Sequence, residues 1–378
     1  MARGKLFDGS RLYMRDESNS VGIKNIAKAL NISIGTVDRA LHGRRGVSEK
    51  TKARVLQVAE QLGYKPNLAA QALKRNRHVS IGVVLPRHIS YFFDPLRSGI
   101  RAAAAAVIGS QVSLEFHEYP RIGVGDTDSL EAAYARKYDG IIFLPGNIQR
   151  FSPLIRKISR NGTAMMCVGS DAPNTGRVGS VSTHAYVSGA IAAELLAHKL
   201  PRKANVAILT GELSTLDHAE KLSGFAATLA VQAPHLTLLP TLEGHEKPKE
   251  AYRQAVTLMR RKDRPEGLYL STANSMAVLE ALEELGLLGK VQVIATDLFQ
   301  DLITLIKADK VLATLYQRPF TQGKLAFENL VAYLMRSEPT PPVVRLAPHI
   351  VLKSNLQLFA NRVSGTDEEI DVEFDTLT

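Results

Sequence analysis

Residues 22–42, GIKNIAKALNISIGTVDRALH, decide how the chain is read. Ile23, Ile26, Ala27, Leu30, Ile32, Val37, Ala40 and Leu41 recur at the three-to-four spacing of an apolar helical face, interrupted once in the middle. The interruption falls at Asn31, after glycine the residue that best tolerates the left-handed backbone of a tight turn. Ser33 follows where an N-cap belongs, its hydroxyl free to accept an orphan amide of the next helix. Two short helices and a tight turn are therefore predicted, the second over about Ile34 to His42. That helix leaves Ile34, Gly35, Thr36, Asp38 and Arg39 off its apolar face. Short side chains and an arginine near a helix start can enter a major groove and reach base edges.

On the C-terminal side, Val47 to Gly63 reads as a third helix. Ser48 caps it, Val55, Val58, Ala59 and Leu62 form its inner face, and Gly63 ends it. Asn67 to Arg75 can form a helix but has no second apolar face, and nine helical residues are marginal alone in water. It is expected to order only when something is bound. On the N-terminal side, residues 1–20 are polar and aperiodic, and read as a flexible arm or as upstream sequence if translation starts at Met14. The charge is concentrated in this region. Of 47 Lys and Arg and 37 Asp and Glu, residues 1–78 hold 16 and 6, leaving 31 of each sign for the other 300. The net charge of +10 thus sits on the helical segment, where it would release counterions from a phosphate backbone.

From Val79 the pattern changes. SIGVVLP is followed by a predicted helix around Asp94 to Ile108. QVSLEFHEY, DGIIFLPG, TAMMCVGS, NVAILTG, LTLLPTLEG, GLYLST and VQVIATD then alternate with helical stretches. Such runs of Val, Ile and Leu without strict alternation mark strands buried on both faces, hence parallel sheets with right-handed crossovers. Two successive sets predict two α/β lobes, about 79–182 and 183–297, with the remaining chain crossing back. The tail, SGTDEEIDVEFDTLT, is acidic, aperiodic and expected to be disordered. It carries no leucine heptads for a tetramerising coiled coil.

GIKNIAKALNISIGTVDRALHGRRGVS, then GYKPNLAAQALKRN and SIGVVLP at the right distance, resembles the DNA-binding headpiece and hinge of the lac-repressor (LacI) family. The two lobes resemble the periplasmic sugar-binding-protein (type I) core of those regulators, and the resemblance covers about residues 22 to 360. It implies an α/β chain in which an all-helical helix-turn-helix headpiece precedes two doubly wound lobes. The implied divisions are an arm over 1–20, the headpiece over 21–66, a hinge over 67–78, an effector-binding and dimerisation domain over 79–362, and a tail over 363–378. On DNA, Ile34, Gly35 and Arg39 would face bases and Thr36 a phosphate. Lys28 and Lys50 would meet phosphates, and Asn67 closes the third helix ahead of the hinge. Leu73 of the hinge would wedge into the minor groove, with Lys74 beside it. Asp38 stands where the family usually has serine.

For the effector, the loop RHISYFFDPLRSG after SIGVVLP matches the ribose-binding type of lobe. Phe92 and Phe93 fall on positions that flank a sugar ring, and Ser90 on a polar one; a core role for the two rings is the alternative. Asp171 opens a DAPN turn like that of sugar-binding relatives, where it would accept sugar hydroxyls or, alternatively, cap the turn. Asp297 and Gln317 match hydrogen-bonding positions, and Asn274 lies one place from the usual asparagine. Asp217 and His218 replace an expected arginine, and His184 stands where an aspartate is usual. An arginine offers a bidentate fork that a histidine cannot.

Other classes find little support. There is no GxxxxGK[ST], HExxH or GxSxG pattern, and ten histidines show no metal-ligand spacing. Neither a catalytic residue, a metal nor a cofactor is expected. One cysteine, Cys167, within AMMCVGS, and no tryptophan exclude a disulfide framework. No run approaches the ~20 apolar residues of a membrane span, and the first 20 residues lack an apolar signal core. The expectation is a cytoplasmic homodimeric repressor that binds a palindromic double-stranded operator and answers to a sugar or sugar derivative. An uptake protein, or an activator or corepressor-dependent variant of the same fold, are the alternatives.

Overall fold

The computed structural model describes residues 23–41, 46–62, 78–107, 112–336 and 341–360. It divides into two compact units, Met1–Lys74 and Arg75–Thr378. The expected arm, the hinge with Asn67, Leu73 and Lys74, and the acidic tail lie outside the described residues.

The first unit contains α1 (Ile23–Leu30), α2 (Ile34–Leu41) and α3 (Glu49–Gln61). Asn31 turns the chain with φ 51°. Ser33 Oγ accepts the Thr36 amide at 3.1 Å, and Ser48 Oγ accepts that of Thr51 at 3.2 Å, so both expected N-caps are made. Ile26, Ala27, Val37, Ala40, Val55 and Ala59 form the core, flanked by the rest of the predicted apolar face. Leu62, expected inside, is 38% exposed. It lies one residue beyond α3, although its amide still donates to Val58 O at 3.0 Å.

The second unit carries two sheets. In the first, β1 (Val79–Pro86), β2 (Val112–Tyr119), β3 (Gly140–Phe143), β4 (Ala164–Val168), β5 (Gly179–Thr183) and β12 (Val344–Leu346) lie in the order β12-β5-β4-β3-β1-β2, all parallel. The second contains β6 (Ala204–Thr210), β7 (Leu236–Leu238), β8 (Leu242–Glu243), β9 (Gly267–Leu270), β10 (Gln292–Thr296), β11 (Ala313–Tyr316) and β13 (His349–Val351). Its order is β13-β11-β10-β9-β6-β7, with β8 beside β6 and only β13 antiparallel. Each sheet therefore reverses its winding next to its first strand, at β1/β3 and at β6/β9. Crevices for ligands open at such switch points, beyond the carboxyl ends of the strands.

Helices cover both sheets. Those used below are α4 (Ser90–Ala106), α7 (Ala185–Lys199), α8 (Leu216–Gln232) and α12 (Pro319–Arg336). α4 begins four residues before the predicted Asp94. The Phe92 and Phe93 amides already bond to Ile89 O at 3.0 Å, and Pro95 is accommodated inside the helix rather than starting it. The two lobes use one packing device. A Cβ on Gly99 of α4 would lie 2.0 Å from Phe320 O, and one on Gly323 of α12 2.0 Å from Leu96 O. In the other lobe Gly189 of α7 and Gly224 of α8 stand equally close to Lys221 O and Tyr186 O, each at 1.9 Å. Cys167 is fully buried, and burial pushes its thiol up to about 12, which leaves it a small hydrophobe.

The lobe limits differ from those predicted. The first lobe is 79–183 with α12 and β12; the second runs from α7 through β11 and regains β13. The chain thus crosses between lobes three times, near His184, near Arg318 and near Pro348. Thr183 Oγ1 donates to Gln317 O at 2.7 Å and accepts from Gln322 Nε2 at 3.0 Å. The His184 amide donates to Leu346 O at 2.8 Å. β5, GSVST, was not predicted, because its hydroxyls and glycine look like a turn although all five residues are buried.

Candidate ligand cavity and nucleic-acid interface

A small cavity of about 50 Å³ lies between the lobes. Its residues come from the carboxyl ends of strands in both sheets, and its two walls differ in character. The first lobe supplies Ile89, Phe92, Phe93, Ile122 and Leu144, then Gly169 and Ser170. The second supplies Thr215, Asp217, His218, Lys221, Glu246, Thr272, Ala273 and Gln317. Phe92 and Phe93 meet edge to face with centroids 4.9 Å apart. The lobes touch directly over the cavity. Tyr91 Oη donates to Ala273 O at 2.7 Å and its ring lies 4.4 Å from that of Phe299, while Thr215 Oγ1 donates to Gly146 O at 2.6 Å. Burial, then the charges of Glu246 and Asp297, push the Tyr91 phenol upward.

The polar wall is organised around Lys221, which is 1% exposed. Its ammonium reaches Asp217 Oδ2 at 2.7 Å, Gln317 Oε1 at 2.8 Å and Ser271 O at 3.2 Å. Gln317 passes the chain on: its Nε2 donates to Asp297 Oδ2 at 2.7 Å and its amide to Asp297 Oδ1 at 3.1 Å. Asp297, with φ 65°, is fully buried. Burial pushes its carboxyl up to about 6, against the lowering effects of the Gln317 bonds and the Lys221 charge. His218 Nδ1 lies 2.9 Å from the Glu212 amide nitrogen and 3.2 Å from the Glu212 carbonyl oxygen, and its Nε2 is 3.8 Å from Glu246 Oε1. Thr272 Oγ1 donates to the Glu246 carboxylate at 2.9 and 3.0 Å. Two buried atoms bordering the cavity, Asp217 Oδ1 and Ser170 Oγ, have no hydrogen-bond partner.

Of the eight effector residues expected from sequence, Phe92, Phe93, His218 and Gln317 border the cavity. The other four do not. Ser90 is exposed at the start of α4. Asp171 pairs both oxygens with Arg177 and accepts the Ala172 amide at 2.7 Å, the turn-capping alternative strengthened by an ion pair. Asn274 lies just past Thr272 and Ala273, which border the cavity in its place. Asp297 stands behind Gln317. Sequence reasoning missed Lys221, Glu246 and Thr272. Lys221 lies one helical turn beyond Asp217, a spacing that could have marked it. Glu246 is brought in by a loop whose φ of 51° at His245 and Glu246 no local pattern reveals.

Half-buried Glu212, Glu243 and His245 bring one potential ligand atom each within 4.8 Å of one another, a spacing a cation could share. They already engage protein groups: His245 Nδ1 lies 3.3 Å from Glu212, and Glu243 accepts the Leu213 amide at 2.8 Å. The histidine spacing did not suggest this cluster, because separate loops build it.

In the first unit, Ile34, Gly35 and Arg39 lie exposed along one side of α2, and Thr36 is half-buried against Ser33. Ile34 is 50% exposed although every other apolar residue of α2 packs inward. Lys28 and Lys50 are also exposed. Among the described residues no helix is long and apolar enough to cross a membrane.

Residues 81–338 match the periplasmic binding protein domain family, and residues 22–67 match the bacterial regulatory proteins of the lacI family. Catabolite control protein A of Priestia megaterium is 22% identical over 87% of this chain and 97% of its own length. The probable HTH-type transcriptional repressor ExuR of Bacillus subtilis is 33% identical over 33% of this chain and 36% of its own. Among solved structures, the glucose-galactose binding protein GanP of Geobacillus stearothermophilus is 25% identical, with TM-score 0.68 over 74% of this chain and 99% of that one. A solute binding protein of Agrobacterium vitis with bound D-fucose shares the fold at TM-score 0.70 and 17% identity, over 75% of this chain and 99% of that one. The chain belongs to the periplasmic binding protein domain family over residues 81–338 and carries a lacI-family helix-turn-helix domain over residues 22–67.

Proposed function

We propose that the chain is a cytoplasmic transcriptional repressor that binds a palindromic operator as a homodimer and is controlled by a small sugar or sugar derivative held between its lobes. Its role is binding, not catalysis. The observation that carries this reading is Gln317. Its side chain sits in the polar cavity wall, and its carbonyl accepts from Thr183 and Gln322 where the chain crosses between lobes. A ligand that changes the wall changes the crossing, and thereby the relative population of open and closed lobes.

Phe92 and Phe93 would pack against the C–H face of a sugar ring, and Asp217, His218, Glu246 and Gln317 would bond its hydroxyls. Ser90, Asp171 and Asn274 would act outside direct contact, and Asp297 would position Gln317. On DNA, Ile34, Gly35 and Arg39 would read bases, with Thr36, Lys28 and Lys50 on phosphates. Asn67 and the hinge with Leu73 and Lys74 would order on the operator. A free uptake protein is the weaker reading, since it has no use for a helical segment carrying the whole net charge of the chain.

The test is to select duplexes from a random pool with the full-length protein, then titrate the best by fluorescence anisotropy with and without a sugar panel. A palindromic winner whose affinity a sugar changes is expected. Failure to enrich any sequence over random duplex overturns the reading.

A further inference from the structure

We infer that the cavity takes a hydroxylated ligand bearing an ammonium group in preference to its neutral parent, and rejects phosphorylated and carboxylated counterparts. The inference rests on the sugar reading above and concerns the charge that the site selects.

Two basic side chains border the cavity. Lys221 has three protons and three acceptors for them: Asp217 Oδ2, Gln317 Oε1 and Ser271 O. None is left for a ligand anion. His218 presents only Nε2, and that nitrogen faces a carboxylate at 3.8 Å. The acidic side is under-compensated. Lys221 neutralises Asp217 through one oxygen, and the other is buried without a partner. Glu246, 3% exposed, receives the single hydroxyl proton of Thr272 shared between its two oxygens, and the His218 ring stands off at 3.8 Å. A buried carboxylate with so little compensation is costly, and a ligand ammonium supplies the missing partner. A phosphate or carboxylate brought into the same space would instead add a like charge with no cation free to meet it. The first-lobe wall offers an anion only the neutral hydroxyl of Ser170.

The experiment is isothermal titration of the full-length protein with matched hexose and pentose series. Each series holds the neutral sugar, its amino forms (C2, C3 and C6 for hexoses), its terminal phosphate and its uronate. The expected result is a neutral sugar that binds, at least one amino form binding roughly 10-fold tighter, and phosphate and uronate weaker by at least ~100-fold. Glu246→Gln should erase the amino advantage, bringing the affinity ratio of amino form to neutral sugar, both measured in that variant, to about one. An anionic member bound as tightly as its neutral parent overturns the inference. So does an amine that gains at none of the tested positions, or a gain that survives Glu246→Gln. If no member of any series binds, the sugar reading itself falls and takes the inference with it. That result is distinguishable, because the failures above all require a sugar that binds.

Discussion

Gln317 Nε2 donates to Asp297 Oδ2 at 2.7 Å, and this bond joins the cavity wall to a carboxylate fully buried behind it. Asp297 thereby fixes which way the Gln317 amide points. With Nε2 turned to Asp297, Oε1 faces Lys221, and Lys221 is then held in place against Asp217. One buried aspartate orients three residues of the wall without bordering the cavity itself.

The first prediction concerns pH. Burial raises the Asp297 carboxyl to about 6 from an ordinary 3.8, so the folded chain keeps a proton that the unfolded chain releases earlier. Stability should therefore fall as pH rises between those values, by about 3 kcal/mol for this group, and the cost persists at neutral pH. Asp297→Asn should flatten this stretch of the profile, although its amide must face a Gln317 donor and the overall stability will be lower. Urea unfolding at intervals between pH 4 and 7 measures both slopes. Equal slopes in the two proteins would show that Asp297 does not titrate there.

The second prediction concerns α2. Arg39→Ala should cost ~1–3 kcal/mol on the selected operator and relax preference at one base pair. Lys50→Ala should weaken operator and random duplex alike and reduce the salt slope by about one. Anisotropy titrations at several salt concentrations separate the two effects. If Arg39→Ala binds its best sequence as tightly as the parent, Arg39 does not read a base.

Much of the fold could be read in the sequence, because its signals are local. The spacing from Ile23 to Leu41, Asn31 at the turn and the caps at Ser33 and Ser48 are each decided within a few residues. The Val- and Ile-rich strands announced two parallel sheets for the same reason. What escaped depends on distant parts of the chain. β5 is a strand because its neighbours bury it, although GSVST alone reads as a turn. β12 and β13 are three residues each and pair with strands far away in sequence. In the cavity, Phe92, Phe93, His218 and Gln317 follow strand ends and were found, whereas Glu246 needs an unusual loop backbone. Asp171 was misplaced because an Asx turn and a ligand contact use the same residue type; Arg177, six residues on, occupies both its oxygens.

A third prediction tests the helix contacts that the two lobes share. A methyl at Gly99 would meet Phe320 O, and one at Gly224 would meet Tyr186 O, both at 2.0 Å or less. The obstacle in each case is a helix backbone, which cannot give way as a side-chain end can. Gly99→Ala and Gly224→Ala should each destabilise the domain by ~2 kcal/mol or more. At Gly35 a Cβ meets nothing closer than 3.8 Å, so Gly35→Ala should leave stability within ~0.5 kcal/mol. Denaturant midpoints measure all three. A Gly99→Ala protein as stable as its parent would mean that α4 and α12 are not held so closely.

The last prediction concerns the crossing between lobes. Thr183 Oγ1 donates to Gln317 O at 2.7 Å, and Gln322 Nε2 donates both to that hydroxyl at 3.0 Å and to Gln317 O at 2.7 Å. These three residues come from different crossing segments or from the helix that follows one. Thr183→Val keeps the shape and removes the hydroxyl, leaving Gln317 O with one donor and Gln322 with one acceptor. The stability cost should be modest, about 1 kcal/mol, since each remaining group retains a partner. The effect on communication should be larger in proportion. Gln317 would still face the ligand, but its carbonyl would no longer be tied to the end of β5, so the ligand would bias lobe closure less. The sugar's effect on operator affinity should shrink several-fold while sugar affinity and operator affinity, each measured alone, change by about threefold or less. Anisotropy on the selected duplex across a sugar titration measures the coupling, and calorimetry measures sugar binding alone. An unchanged coupling factor in a folded Thr183→Val protein would place the transmission outside this crossing.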